Sequence, residues 1–452
     1  MEPQCAASNR PSLGRSAKLD PSATNAKTMP SQLRFFLSRL RERLWVKPLL
    51  ACILSILGVL LAQLADGIPV DWKVPEIAQS AVIDLLKIVA SSMLGVATFA
   101  VASMVAAYVS TGQSATARAF PLIVADDTSQ NALSIFVGAF IFGIVALSAS
   151  TNDYFGKAGR FTLFVMTLLV LATVVLVFVR WVDSIARLGR LGSVMATVEE
   201  VTAQTLRRRR RHPCLGGLAA SGPPLGKSFH GAASGYLQRI DMALLQRLAS
   251  DSGHRITLAV LPGAQIVPSR PLGYLRPDAD GCGDIDLDEL RKAFMIGPQR
   301  HFDDDPRFGL VVLAEIGGRA LSKGINDPGT GIGVLGALQR LFSAWAAPVE
   351  PDEPECDRIE APELALDEMF DDVVPPMARD GAGTLEVAER LQRVLGELGA
   401  CGDPQLRALA HRHALLALAR SERALDFAPD LERLRRRHRD YWDRPPPRAA
   451  AH

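Results

Sequence analysis

The chain has 452 residues, of which 22% are charged and 48% are hydrophobic, and its formal net charge is +2. A chain of this length exceeds one compact core, so we expect two or three domains. The small net charge gives no indication of nucleic-acid binding, and no nucleic-acid partner is expected. The six cysteines form no Cys-x-x-Cys pair, which excludes the common zinc-knuckle and redox motifs.

The first two-fifths of the chain combine a polar tail with long apolar stretches. Residues 1–33 are rich in Ser, Ala, Asn and Pro, which predicts a disordered tail. Four stretches without Asp, Glu, Lys or Arg follow, at roughly 48–65, 88–109, 128–152 and 161–179. Because about 20 helical residues cross a bilayer core, the sequence predicts a four-helix transmembrane domain over residues 34–190.

The charges that flank these stretches predict their orientation. Basic residues precede the first stretch and follow the fourth, at Arg34, Arg39, Arg41, Arg43, Lys47, Arg180, Arg187 and Arg190. Lysine and arginine accumulate in cytoplasmic segments of membrane proteins. We therefore expect both termini in the cytoplasm, as an even number of spans requires.

A run of five arginines follows the last span closely: Arg207, Arg208, Arg209, Arg210 and Arg211. Each basic residue near an anionic membrane surface contributes about 1 kcal/mol to binding. We therefore expect the run to contact anionic lipid headgroups. A solvated linker is the main alternative, and a nucleic-acid contact has less support.

Small and hydroxyl-bearing residues recur within the second and third spans, notably Ser91, Gly95, Thr98, Ala102 and Gly138. Such residues let helix backbones approach closely in lipid. The alternative is that the hydroxyl groups line a water-filled path in an oligomer. No ionisable residue lies inside the spans, which argues against a proton-coupled transporter.

The remaining chain predicts an α+β domain and further helices. We expect a helix extension and linker over 191–233, a cytoplasmic α+β domain over 234–347, an acidic, proline-containing linker over 348–380 and a C-terminal helical region over 381–445. In the α+β domain, 235–240 is a predicted strand, Asp241 caps a helix, and 256–261 pairs with 265–267 as a hairpin. The predicted fold class is a membrane α-helical protein with four transmembrane helices, a cytoplasmic α+β domain and a C-terminal helical region.

Two Asp-Pro pairs mark helix starts. Asp305-Pro306 and Asp327-Pro328 each place an N-cap residue before a proline at the first helical position. Gly324 is the expected C-cap between the two helices. The alternative to pure capping is a ligand site or interface that uses Arg300, Asp305, Asn326 and Asp327.

No metal site, cofactor or catalytic residue is predicted. The acidic loop 278–289 has part of the spacing of a calcium loop, but Cys282 occupies a position where an oxygen ligand is needed. The alternative is that Asp286 caps the helix that begins at Leu287.

Several strings together resemble a known family. These are Ala125-Asp-Asp-Thr-Ser-Gln-Asn-Ala132, Phe178-Val-Arg-Trp-Val-Asp183, Ile296-Gly-Pro-Gln-Arg300 and Ala320-Leu-Ser-Lys-Gly-Ile-Asn-Asp-Pro328. They are similar to the bacterial predicted membrane proteins of Domain of Unknown Function family 2254. The resemblance implies a bacterial inner-membrane protein with a fused cytoplasmic domain, and it implies no activity or catalytic residue.

Three functional hypotheses follow. The leading one is a non-enzymatic homo-oligomer whose cytoplasmic domain gates or regulates a channel-like transmembrane part. The second is a membrane-tethered enzyme or ligand sensor with a site near the Gly-Ile-Asn-Asp-Pro turn, which requires its candidate side chains to converge in one pocket. The third is a membrane scaffold that docks a partner through the C-terminal helices.

Overall fold

Among the residues that the structure, a computed structural model, describes, four helices are long and apolar enough to cross a membrane, which confirms the four predicted spans. The structure describes residues 46–64, 75, 77–114, 116–124, 127–188, 191–278 and 283–443. The spans are α1 (Val46–Leu64), α2 (Gln79–Ser114), α4 (Asp127–Thr151) and α5 (Lys157–Leu188). A 3-10 turn (Ala117–Ala119) and the short α3 (Phe120–Val124) connect α2 to α4. The predicted tail, residues 1–33, lies outside the described residues.

Helix α4 is the central span, and two of its glycines lie at close helix contacts. A methyl group at Gly138 would lie 3.0 Å from Ala51 Cβ of α1, and one at Gly143 would lie 3.2 Å from the backbone nitrogen of Ala90 of α2. The hydroxyl of Ser55 donates to the carbonyl of Gly138 at 2.8 Å. Small residues therefore bring these backbones together, as expected where lipid supplies no hydrophobic drive between helices.

The chain beyond the spans, residues 191–443, is called here the extramembrane part, and most of its helices share one core. They are α6 (Leu191–Arg211), α9 (Pro306–Ala320), α10 (Pro328–Ala346), α11 (Leu366–Asp380), α12 (Leu385–Gly399), α13 (Pro404–Ala424) and α14 (Ala428–Trp442). The core is formed by apolar side chains that recur at helical spacing, such as Leu310, Leu313 and Leu338.

Two sheets with helices α7 (Met242–Ser252) and α8 (Leu287–Lys292) form a second core. The five-stranded sheet has the order β1 (Gly217–Ala219), β8 (Cys356–Ala361), β4 (His254–Leu258), β6 (Pro271–Pro277), β2 (Lys227–His230). The three-stranded sheet has the order β5 (Gln265–Ile266), β3 (Gly235–Ile240), β7 (Phe294–Gly297). Strand β3 and the helix capped by Asp241 confirm two predictions, because the Asp241 carboxylate accepts the N–H of Leu244.

The predicted hairpin of 256–261 and 265–267 is wrong. Strand β4 pairs with β6 and β8, whereas β5 pairs with β3 in the other sheet. Gly263, with a φ of +96°, turns the chain between the two sheets and not back along the same one. Residues 262 and 263 do form a turn, but the partner of each strand is set by distant segments.

Two expected linkers contain core elements. The segment 348–380 includes β8, which lies between β1 and β4, and α11, which buries Met369, Phe370 and Val373. The segment 212–233 includes β1 and β2. Acidic residues and prolines suggested a linker in the first case, but the charges lie on the outer faces while the apolar residues recur at strand and helix spacing.

The extramembrane helices have a defined direction relative to the spans. Helices α6 and α10 run parallel, since Glu199 pairs with Arg340 and the later Arg210 lies over the ring of Trp345. Helix α9 runs antiparallel to α6, since a methyl at Gly309 would lie 2.9 Å from Cβ of Thr202 while the later Thr205 donates to the carbonyl of the earlier Phe302. The beginning of α6, next to the last span, and the end of α9 therefore lie at the same end of this helical layer.

Candidate functional site

The Gly-Ile-Asn-Asp-Pro turn between α9 and α10 is an exposed helix connection. The Asp327 carboxylate accepts the backbone N–H of Thr330 at 3.0 Å and its hydroxyl at 2.6 Å. These hydrogen bonds, led by that of the hydroxyl, lower the pKa of Asp327. The predicted C-cap role of Gly324 is wrong: Leu321 caps α9 in a right-handed conformation, and Asn326 adopts the left-handed φ of +50°. Asparagine tolerates that conformation better than most residues with a side chain.

A buried ion pair lies at the beginning of α9. The Arg300 guanidinium donates from Nε to Asp305 Oδ2 at 2.7 Å and from Nη2 to Oδ1 at 2.9 Å. Asp305 is 2% exposed and also accepts the N–H of Phe308. Burial raises the pKa of Asp305, and the Arg300 cation opposes that rise. A methyl at Gly263 would lie 2.7 Å from Asp305 Oδ1, so the pair supports the loop that follows Pro262.

The four residues proposed from the sequence as one ligand site or interface do not converge. Asp305 precedes α9 and Asn326 follows it, and a helix of 15 residues separates them by about 22 Å. Asp305 and Asp327 each cap the helix that they begin. The convergence that the enzyme hypothesis requires at the Gly-Ile-Asn-Asp-Pro turn is therefore not met.

The arginine run at the end of α6 is engaged with the extramembrane part. Arg207 pairs with Glu200 at 3.4 Å, Arg208 pairs with Asp304 at 3.0 Å, and Arg210 donates to the carbonyl of Ala347 at 2.8 Å. Cations at a helix C-terminus also complement the helix dipole. A contact of Arg207–Arg211 with anionic lipid headgroups stays a prediction.

Arg209 differs from its neighbours in the run because it is buried. Its side chain is 6% exposed, its Nη2 donates to the carbonyl of Asp304 at 3.1 Å, and its Nη1 has no hydrogen-bond partner among the described residues. Burial lowers the pKa of Arg209 to about 10. The guanidinium is therefore still cationic at neutral pH, with one amino group unsatisfied.

Arg209 lines a cleft of about 210 Å³ between the helical core and the sheets. Charged and titratable groups in its wall include Arg208, Arg209, His212, Arg239, Asp304 and Glu355. Asp304 is shared, since it lies 3.0 Å from Arg208 and 3.6 Å from Arg239. This cleft could not be predicted from the sequence, because its lining residues are far apart in the chain: β3 contributes Arg239 and a loop before β8 contributes Glu355.

The loop between the second and third spans is built into the helical core. Ala119 of this loop is fully buried together with Val194 and Val198 of α6 and Ile316 of α9. Next to it, Arg118 forms an ion pair with Glu315 of α9. Burial raises the pKa of Glu315, and Arg118 opposes this. The spans and the extramembrane helices are thus joined by packing and charge, in addition to the chain itself.

The small residues of the second span face outward. Ser91, Gly95, Thr98 and Ala102 are all exposed on α2. No atom of another described segment lies within 4 Å of a methyl built at Gly95. The hydroxyls of Ser91 and Thr98 donate to carbonyls one turn earlier in the same helix, each at 2.8 Å. In contrast to Gly138, these four residues do not mediate packing among the described spans.

The acidic loop 278–289 is partly described, because residues 279–282 lie outside the described residues. Asp278 pairs with Arg255 and Arg358, and Asp286 caps α8 by accepting the N–H of Asp288. Within the described ranges, no group of three or more His, Cys, Asp and Glu side chains could hold a metal ion.

Comparisons with known proteins agree with the resemblance. An uncharacterized protein of Mycobacterium bovis is 35% identical over 129 residues, which cover 28% of this chain and 25% of that protein. An uncharacterized protein of Mycobacterium tuberculosis matches with the same identity and coverage. The match thus spans a quarter of the length of these curated relatives, and no solved structure matches the chain significantly. The family described as "Predicted membrane protein (DUF2254)" matches residues 41–397, and the chain belongs to this family.

Proposed function

We propose that the chain forms a homo-oligomer in a bacterial inner membrane and that its extramembrane part regulates a conducting path through the spans. The observation that carries this proposal is the burial of Ala119, from the loop between the second and third spans, in the core of α6 and α9. A rearrangement of those helices must move the loop and the two spans that it connects. Interfaces of this kind have discrete packing arrangements, so they suit a switch.

The outward face of α2 supports the oligomeric part of the proposal. Ser91, Gly95, Thr98 and Ala102 form a narrow polar and small-residue stripe on an exposed face. Such a stripe suits close approach of a second α2 in lipid, or a path lined by hydroxyl groups. No carboxylate, His or Arg is needed in that kind of path.

Flux through liposomes tests regulation. Reconstituted wild-type protein should conduct small ions or solutes, and Arg118→Glu should change the flux because it replaces the Arg118–Glu315 attraction with repulsion. The reciprocal pair Arg118→Glu with Glu315→Arg should restore wild-type flux. The absence of flux in wild type under varied ions and membrane tension would refute the conducting path, and unchanged flux in Arg118→Glu would refute the coupling.

Cysteine cross-linking tests the oligomer separately. Gly95→Cys on the stripe should form disulfides between copies in membranes. Leu169→Cys is the matched control, because Leu169 is 62% exposed on a different span. Equal cross-linking of both variants would indicate random collision and would contradict an interface at the stripe.

We also propose that both termini lie in the cytoplasm. Cys401 is exposed in the extramembrane part, and Tyr154 is 61% exposed at the opposite end of the spans. In a variant with Cys5 and Cys282 replaced by Ser, Cys401 should react with an impermeant maleimide only after the cells are permeabilised. Tyr154→Cys should react in intact spheroplasts, and the reverse pattern would invert the topology.

A further inference from the structure

We propose that the cleft at the end of α6 binds the phosphate group of a small phosphate monoester, with Arg209 as its central ligand. The site lies between the two cores of the extramembrane part, where α6, β3 and the Pro262 loop meet. It is independent of the proposed conducting path, since binding can be measured without any flux.

The unsatisfied guanidinium of Arg209 is the first argument. A buried charged group without a full set of hydrogen bonds is costly. Arg209 is 6% exposed, and its Nη1 has no partner within the described parts of the chain. Nη1 is shielded from solvent, so a phosphate oxygen reaches it only after the Arg209 side chain or the cleft wall shifts. The guanidinium that lines the cleft matches a phosphate in charge and in its forked geometry.

The charge balance is the second argument. Three arginines, Arg208, Arg209 and Arg239, line the cleft, and Asp304 pairs with two of them, while Asp303 lies within electrostatic reach of the same two. Glu355 also lines the cleft but is exposed, so water screens its repulsion. At that position the Glu355 carboxylate can accept a hydrogen bond from a hydroxyl group of the ligand. This favours a phosphate ester of a hydroxyl compound over a bare anion.

The size of the cleft limits the ligand. A volume of about 210 Å³ corresponds to about seven water molecules at roughly 30 Å³ each, and it lies below the roughly 300–1,000 Å³ of sites for drug-sized ligands. A three-carbon phosphate ester fits this scale better than a nucleotide.

The position along α6 favours a soluble ligand over a lipid. Arg209 lies 18 residues after Leu191, where α6 begins beside the last span, which is about 27 Å along the helix. Arg208 and Arg209 both donate to Asp304, which lies just before α9. This end of α9 is the one farther from the Arg118–Glu315 contact with the loop between the spans.

The buried Arg300–Asp305 pair has a supporting role in this site. Asp305 directly follows Asp304 in the chain, and its carboxylate packs against Gly263, next to Pro262 in the cleft wall. Arg300 and Asp305 thus position the wall, and they do not line the cleft among the described residues.

Calorimetric titration of the full chain in detergent tests the proposal, with glycerol phosphate as the probe. Wild type should bind it saturably, and Arg239→Gln should weaken binding by about tenfold or more, as expected for a lost hydrogen bond to a charged group. Arg207→Gln is the matched control, because Arg207 belongs to the same run but pairs with Glu200 outside the cleft. Its affinity should stay within about twofold of wild type.

Arg209→Gln should abolish binding, but a buried position can affect folding, so Arg239→Gln carries the test. Arg239 has a side chain that is 58% exposed, and its replacement should leave the circular dichroism spectrum unchanged. Absence of binding in wild type, equal weakening by Arg207→Gln, or equal affinity for sulfate would overturn the proposal. In another outcome, wild type binds vesicles that contain phosphatidic acid but does not bind glycerol phosphate, and Arg239→Gln removes the vesicle binding. That result would support a phosphate ligand but would show that the phosphate belongs to a lipid and not to a soluble ester.

Discussion

The contact between α6 and α9 can be tested by adding a single methyl group. Gly309 of α9 is buried against α6, and a methyl at this position would lie 2.9 Å from Cβ of Thr202. Rotation of the Thr202 side chain cannot relieve that contact, because Cβ moves only with the backbone. Gly309→Ala must therefore push the two helices apart.

The matched control lies on the same helix. A methyl at Gly318 would meet Asp380 Oδ2 at 2.8 Å, which is the far end of a flexible side chain. Replacement of glycine by alanine within a helix stabilises it by about 1 kcal/mol, and this gain is shared by both variants. Overpacking of a core costs about 1–3 kcal/mol. Gly309→Ala should therefore be less stable than Gly318→Ala by about 1–3 kcal/mol.

Urea unfolding in detergent, followed by far-ultraviolet circular dichroism, measures this difference. Thr202→Ala in the Gly309→Ala background should recover part of the loss, because it removes the hydroxyl and one methyl but keeps Cβ. Equal stability of Gly309→Ala and Gly318→Ala would refute the close packing of α6 on α9.

Further predictions concern capping and acid stability. Asp327→Ala should cost about 1 kcal/mol at neutral pH, whereas Asp305→Ala should cost about 3–5 kcal/mol because it also leaves Arg300 without its buried partner; urea titrations of both variants check the ranking. The folded-state pKa of Asp327 is lowered from 3.8, so its contribution to the free energy of unfolding should be present above pH 3.8 and be lost as pH falls through the folded-state pKa. The stability cost of Asp327→Ala should therefore disappear at that acidic pH. Burial lowers the pKa of His413 from 6.5, so protonation favours the unfolded chain as pH falls below 6.5, and His413→Leu should lose less stability than wild type on acidification in the same assay.

Local chemistry made part of the fold predictable. The two Asp-Pro pairs begin α9 and α10 because a capping carboxylate and a proline at the first helical position act within one turn. The spans are visible because length and polarity suffice to recognise them.

The features that could not be predicted from the sequence share a different cause: they depend on contacts between distant segments of the chain. The partners of β4 and β5 come from elsewhere in the chain, so a turn between them did not imply a hairpin. The burial of Arg209 within the arginine run could not be predicted, because the residues just before α9 cover that position. The candidate phosphate site combines Arg209 with Arg239, and no spacing in the sequence relates them.

The last helix, α14, packs on α12, the helix in which the match to the family ends. The region shared with the family ends at residue 397, inside α12. Two glycines of α12, Gly396 and Gly399, lie directly beneath the rings of Tyr441 and Trp442 of α14. A fragment cut at the family boundary would lose this aromatic cover. It would also leave Gln392, which is 1% exposed, without its hydrogen bonds to Ala414 and His438. The smallest fragment that folds stably should therefore extend beyond residue 397, where the match to the family ends.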